Sequence, residues 1–136
     1  MAEVDPSERE LEALKVIWDR GKATVREIAD AMNKRGGARL AYTTVLSLLQ
    51  VMEQKGLVGH TASGRVYSYF AKIDRDRTFR RLARGFLDRV FDGAMDAYVL
   101  HALDGKQISA DELTRLEAMI EQARERRGRR KKEGSS

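Results

Sequence analysis

At Leu57 the spacing of apolar residues drops from three or four to two, and no other feature limits the possible folds so much. Three short runs of helical period precede it. Ser7 with Glu10 forms a capping box, in which hydroxyl and carboxylate each satisfy an orphan N–H at a helix start, and Leu11, Leu14, Ile17 and Trp18 follow up to Gly21. Thr24 and Glu27 repeat the cap ahead of Val25, Ile28, Ala29 and Met32, a stripe that Gly36-Gly37 ends. Val45, Leu48, Leu49 and Met52 mark the buried face of a third helix, closed by Lys55-Gly56. Leu57–Thr61 and Val66–Phe70 then alternate on either side of Ala62-Ser63-Gly64-Arg65, the pattern of a β-hairpin. Three tightly linked helices followed at once by a hairpin predict a winged helix-turn-helix, mainly α with a small hairpin wing.

The period beyond the hairpin is helical again. Phe79, Leu82, Ala83, Phe86, Leu87, Val90 and Phe91 lie on one helical face before Gly93, and Met95, Tyr98, Val99 and Leu103 mark a shorter helix. Ser109, capped with Glu112, starts a last helix bearing Leu113, Leu116, Ile120 and Ala123. Three amphipathic helices with no sheet to cover bury their stripes most readily against a second copy. A homodimer seam is therefore expected at Phe79, Leu82, Phe86, Leu87, Val90, Phe91, Tyr98, Leu113, Leu116 and Ile120. The expected organisation is residues 1–72 as the winged helix-turn-helix domain, 73–126 as a helical dimerisation domain, and 127–136 as a basic, disordered tail.

The formal net charge of +5 is unevenly placed: residues 124–136 hold seven Lys or Arg against two Glu, so residues 1–123 are neutral. Within that body, residues 22–72 carry eight basic and three acidic side chains, while the segments on either side are net acidic. The middle segment is the part suited to face phosphates. With the third helix's apolar residues turned inward, Thr43, Ser47, Gln50 and Gln54 point outward, flanked by Thr44, Leu46 and Val51. Small hydroxyl and amide side chains suit base edges in a major groove, and a solvated face would ordinarily be richer in Glu and Lys. Arg65 at the hairpin tip is the natural wing contact, and Arg39 and Lys55 flank the third helix as backbone clamps. Tyr67 and Tyr69 share a strand face suited first to core packing, from which the Tyr67 hydroxyl could still reach phosphate.

Other chemistries lack their residues. The chain has no cysteine, which excludes disulfides, thiolate zinc sites and thiol redox chemistry. His60 and His101 stand alone on a strand and a helix, so no catalytic constellation, metal site or cofactor is expected. No apolar run approaches a membrane span, and the acidic opening is unlike a signal peptide, so a cytoplasmic protein without membrane contact is expected. The rival readings are a winged-helix protein-interaction module and a nonspecific DNA-binding protein.

The runs Thr24-Val25-Arg26-Glu27-Ile28, Ala41-Tyr42-Thr43-Thr44-Val45-Leu46, Lys55-Gly56-Leu57-Val58 and Gly64-Arg65-Val66-Tyr67-Ser68-Tyr69 together resemble the penicillinase-repressor family of BlaI and MecI type regulators. Phe91-Asp92-Gly93 and the Ser109–Leu116 segment extend the resemblance. It implies a repressor that binds double-stranded, palindromic operator DNA as a homodimer and controls genes such as those for β-lactam resistance. It also implies that the third helix enters the major groove. That role carries over to Thr43, Thr44, Leu46 and Ser47, with Tyr42 opening the run, Gln50 one turn on, and Arg65 in the wing. Some relatives are inactivated when an upstream sensor-protease pathway cuts the dimerisation domain. The corresponding helix here reads Leu100-His101-Ala102-Leu103 and lacks the Asn-Phe pair of the staphylococcal type, which speaks against cleavage induction. Copper sensing through C-terminal cysteines, as in some members of the wider family, is excluded.

Overall fold

Local hydrogen bonds fix where the first helices begin. In a computed structural model of the chain, which describes residues 4–134, two of the three expected Ser/Thr–Glu pairs form full capping boxes: Ser7 and Glu10 cap α1 (Glu8–Arg20), and Thr24 and Glu27 cap α2 (Val25–Lys34), while at Ser109 the hydroxyl accepts from the Glu112 N–H. The third helix, α3, spans Tyr42–Gln54. Strands β2 (Val58–Ser63) and β3 (Val66–Ala71) form the hairpin, with Ser63 opposite Val66 at its tip. Only Gly64 and Arg65 lie between them. Gly64 takes φ 62°, as a two-residue turn with glycine in its first central place requires.

A strand that periodicity does not reveal completes the sheet. β1 is only Ala23–Thr24, paired antiparallel to β3 through Ala23↔Tyr69 and Thr24↔Ser68, so the strand order is β1-β3-β2. Two residues are too few to show a period, and Thr24 does double duty as the cap of α2. The core gathers one face from each element: Leu14 and Ile17 of α1, Val25 and Ile28 of α2, Val45, Leu49 and Met52 of α3, Val58 of β2 and Tyr69 of β3. Leu48, expected wholly inside, is half-buried at its edge.

Three further helices follow, α4 (Arg75–Phe91), α5 (Met95–Asp104) and α6 (Ala110–Glu133). The chain divides into two compact units, one running to Gly85 and the other starting at Phe86, so the break falls inside α4 rather than ahead of it at residue 72. The reason is contact with α1. The Trp18 indole N–H donates to the Ile73 carbonyl at 3.1 Å, and its ring meets Phe79 edge-on at 5.7 Å. Phe79, expected in the dimer seam, is thus packed against Trp18 within the first unit.

α6 also corrects the sequence reading. Where a disordered tail is expected from residue 127, the helix continues to Glu133. Arg, Lys and Glu are good helix formers, and Gly128 costs only about 1 kcal/mol against Ala. Among the described residues no helix is long and apolar enough to cross a membrane.

Candidate nucleic-acid interface

The start of α3 differs from the starts of α1, α2 and α6. Its N-cap is Ala41, which offers no side-chain hydrogen bond, and its first turn carries no acidic residue. The first turns of α1, α2 and α6 all contain a carboxylate and begin at a Ser or Thr cap. The leading N–H groups of α3 are therefore unblocked, and the positive end of its dipole is left for an anion.

This end is held in place from α2. The Asn33 side chain accepts from the Leu40 N–H at 2.8 Å and donates to the Leu40 carbonyl at 3.0 Å, closing the loop on the residue that leads into α3. Sequence reasoning missed Asn33, because its partner lies seven residues away across an irregular loop. Asn33→Ala leaves both Leu40 backbone groups unpaired in a half-buried place and is expected to cost about 1 kcal/mol, as read by urea denaturation. Arg26, at the first turn of α2, was missed too; its guanidinium lies 5.7 Å from the centre of the Tyr42 ring and sets a cation beside the same helix end.

The outward face of α3 is the expected one. Tyr42, Thr43, Thr44, Ser47 and Gln50 are all exposed, and Leu46 is half-buried beside them. Arg39 is exposed in the preceding loop, and Arg65 is exposed at the hairpin tip. Tyr67 and Tyr69 share a strand face yet part company: Tyr69 is buried in the core while Tyr67 remains 43% exposed. Burial, followed by the nearby Glu53 carboxylate and the Tyr67 and Tyr42 hydroxyls, pushes the Tyr69 phenol above its ordinary value.

Two titratable residues act differently from their sequence reading. His60, there a lone histidine, ties the wing to α3 through Nδ1 at 2.6 Å from Glu53 Oε1, with its ring against Tyr67 and Tyr69. Lys55, expected as a DNA backbone clamp, places Nζ 2.9 and 3.0 Å from the two carboxylate oxygens of buried Glu10. Its charge is engaged within the fold. Among the described residues no cluster of His, Cys, Asp and Glu could hold a metal ion.

In the second unit the rings of Phe86, Phe91, Tyr98 and His101 form one cluster, with centroids 5.5–6.1 Å apart. Much of the apolar surface stays open. Phe86, Val90, Tyr98, Leu113 and Ile120 are exposed, whereas Leu87, Phe91 and Leu116 are half-buried; Leu82 is half-buried in the first unit.

A family model described as penicillinase repressor matches residues 6–122. The penicillinase repressor of Bacillus licheniformis is 28% identical over 121 residues, which cover 89% of this chain and 93% of that one. The transcriptional regulator BlaI of Mycobacterium tuberculosis (strain CDC 1551 / Oshkosh) is 29% identical over 122 residues, covering 88% and 86%. Among solved structures, Bacillus licheniformis BlaI in monomeric form in complex with the blaP half-operator is 28% identical, covers 55% of this chain and 89% of that chain, and superposes with a TM-score of 0.46.

Proposed function

The chain belongs to the penicillinase-repressor family, and we propose that it works in the cytoplasm as a homodimer on a palindromic operator, each protomer placing α3 in one half-site. It is a DNA-binding transcriptional repressor and not an enzyme. The observation that carries the proposed docking is the uncapped, acid-free start of α3 leading into an exposed Thr43, Thr44, Ser47 and Gln50 face. Unblocked N–H groups receive a phosphate and fix the register, after which hydroxyl and amide side chains reach base edges. Arg26 and Arg39 sit where further phosphates pass, and Arg65 reaches the backbone or minor groove from the wing.

The dimer rests on a different observation: from residue 86 to residue 134 no described side chain is buried. Ordering a residue costs about 1–2 kcal/mol of backbone entropy, which helices without a core of their own cannot offset. A two-fold partner supplies that core and makes the preferred site palindromic. The proposed targets, on the pattern of the relatives' names, include genes of the β-lactam response.

The test is a gel shift on the DNA upstream of the chain's own gene against random duplex, at two salt concentrations. Tight binding that random competitor does not displace is expected. Thr44→Ala should lose about tenfold in discrimination, since a good base contact is worth about 1–3 kcal/mol. Arg65→Ala should weaken both duplexes and reduce the salt slope by about one. Equal losses on both duplexes for both variants would remove these roles, and no binding at all would leave the winged fold as a protein-interaction module.

A further inference from the structure

We propose that the end of α6, residues 124–133, is a second DNA-binding element that lies on the phosphate backbone without reading sequence. The proposal rests on the operator-binding reading above for its choice of polyanion. Seven of these ten residues are Arg or Lys, two are Glu and one is Gly128, and all are exposed. The family match ends at residue 122, so this element is an addition to the shared body of the protein.

Because the segment is helical, its cations are set at fixed spacing instead of floating on a loose tail. Seven charges between Arg124 and Lys132 occupy about 12 Å of axis at about 1.5 Å per residue. Less the Glu125 carboxylate within the span, that is one net charge per about 2 Å, close to the linear charge density of duplex DNA, about one per 1.7 Å, with the sign reversed. The cations also point all round the axis: Arg124, Arg127 and Lys131 share one side, with Arg126 and Arg130 on another. Like charges at positions 126 and 130, and again at 127 and 131, repel across a turn, and neighbouring phosphates relieve that repulsion.

The absence of apolar side chains from this stretch chooses among partners. A helix lying in a bilayer surface buries an apolar face, and a protein interface is anchored by aromatic or aliphatic groups. Neither is present between residues 124 and 133. What remains is attraction to a dense polyanion, and DNA is the polyanion that a repressor of this family binds.

The test replaces Arg126, Arg127, Arg129 and Arg130 together by Gln in the full chain, which keeps good helix formers at each place. Affinity for the operator and for a random duplex should fall by the same factor, about tenfold or more at low salt. The slope of log K against log salt should become shallower by about three on both. An unchanged slope with operator preference preserved overturns this proposal alone. A wild-type chain with no operator preference overturns the operator reading instead, and the slope on random duplex still decides this one. Sedimentation with phosphatidylserine vesicles forms the other arm: vesicle binding lost in the variant, with an unmoved DNA slope, would reassign the element to membranes.

Discussion

Phe86→Asp should split the proposed homodimer into monomers at micromolar concentration and lower operator affinity by about 100-fold or more. Phe86 is 43% exposed in the protomer and its ring meets Phe91 and Tyr98, within the apolar surface left open by the second unit. A dimer would bury the new carboxylate in that seam without a partner, which costs several kcal/mol. The binding loss follows from linkage: two half-site contacts tied together gain about 10²–10⁴ over either alone, and a monomer forfeits the gain. Mass by light scattering and a gel shift at matched concentration give the two readings. Val90→Asp is the companion variant, since Val90 is 54% exposed and lies outside the ring cluster. If both variants remain dimeric, the interface lies elsewhere; if they dissociate with operator affinity intact, the dimer is irrelevant to binding.

The second large effect is expected from Lys55→Met, and it is on stability. Glu10 is only 2% exposed, and its carboxylate receives Lys55 Nζ as well as the Ser7 N–H at 2.8 Å. Burial pushes the Glu10 carboxyl up, but the Lys55 and Ser7 hydrogen bonds and the Lys55 charge outweigh it and hold the group below its ordinary value. Stripping one partner from a fully buried pair costs about 3–5 kcal/mol. Lys55 is 36% exposed, so water recovers part of this and about 2 kcal/mol is the expected loss. For a domain of this size that lowers the melting temperature by about 10 °C.

The pH dependence has a definite sign. A carboxyl held low in the folded state contributes stability that is full above its unfolded value, near 4.5, and is lost as pH falls through the folded value. The gap between wild type and Lys55→Met should therefore narrow as the pH drops below the ordinary carboxylate range. Glu10→Gln added to Lys55→Met should recover part of the loss by removing the stranded charge. At a temperature where the variant is folded, its operator salt slope should equal that of wild type. A slope reduced by about one with an unchanged melting temperature would restore Lys55 to the DNA backbone.

How far the sequence carries differs from residue to residue. The two capping boxes, the hairpin with Gly64 at its tip and the exposed face of α3 are local patterns, each complete within a few consecutive residues, and each is legible before any fold is known. The same locality explains the failures. Arg39 and Lys55 look alike as cations flanking α3, yet only Lys55 meets a buried carboxylate, 45 residues away in α1. Phe79 belongs to the same helical stripe as Phe86, but α1 brings Trp18 to one and not to the other. The composition of residues 127–133 reads as tail because charge density is a sum over residues, whereas helix continuation depends on each residue's backbone preference.

What the amino-acid sequence determined alone is the set of elements and the sides they turn inward, because hydrogen-bonded caps, turns and apolar periods act over one or two turns of chain. Tertiary structure alone decided which polar side chains were used up inside the fold and which were left exposed. It gave Lys55 to Glu10, His60 to Glu53 and Asn33 to the Leu40 backbone, and left the start of α3 open. The physical reason is that a charge or amide has no fixed role until packing sets its neighbours. Those neighbours come from elements that the core brings together across long stretches of chain.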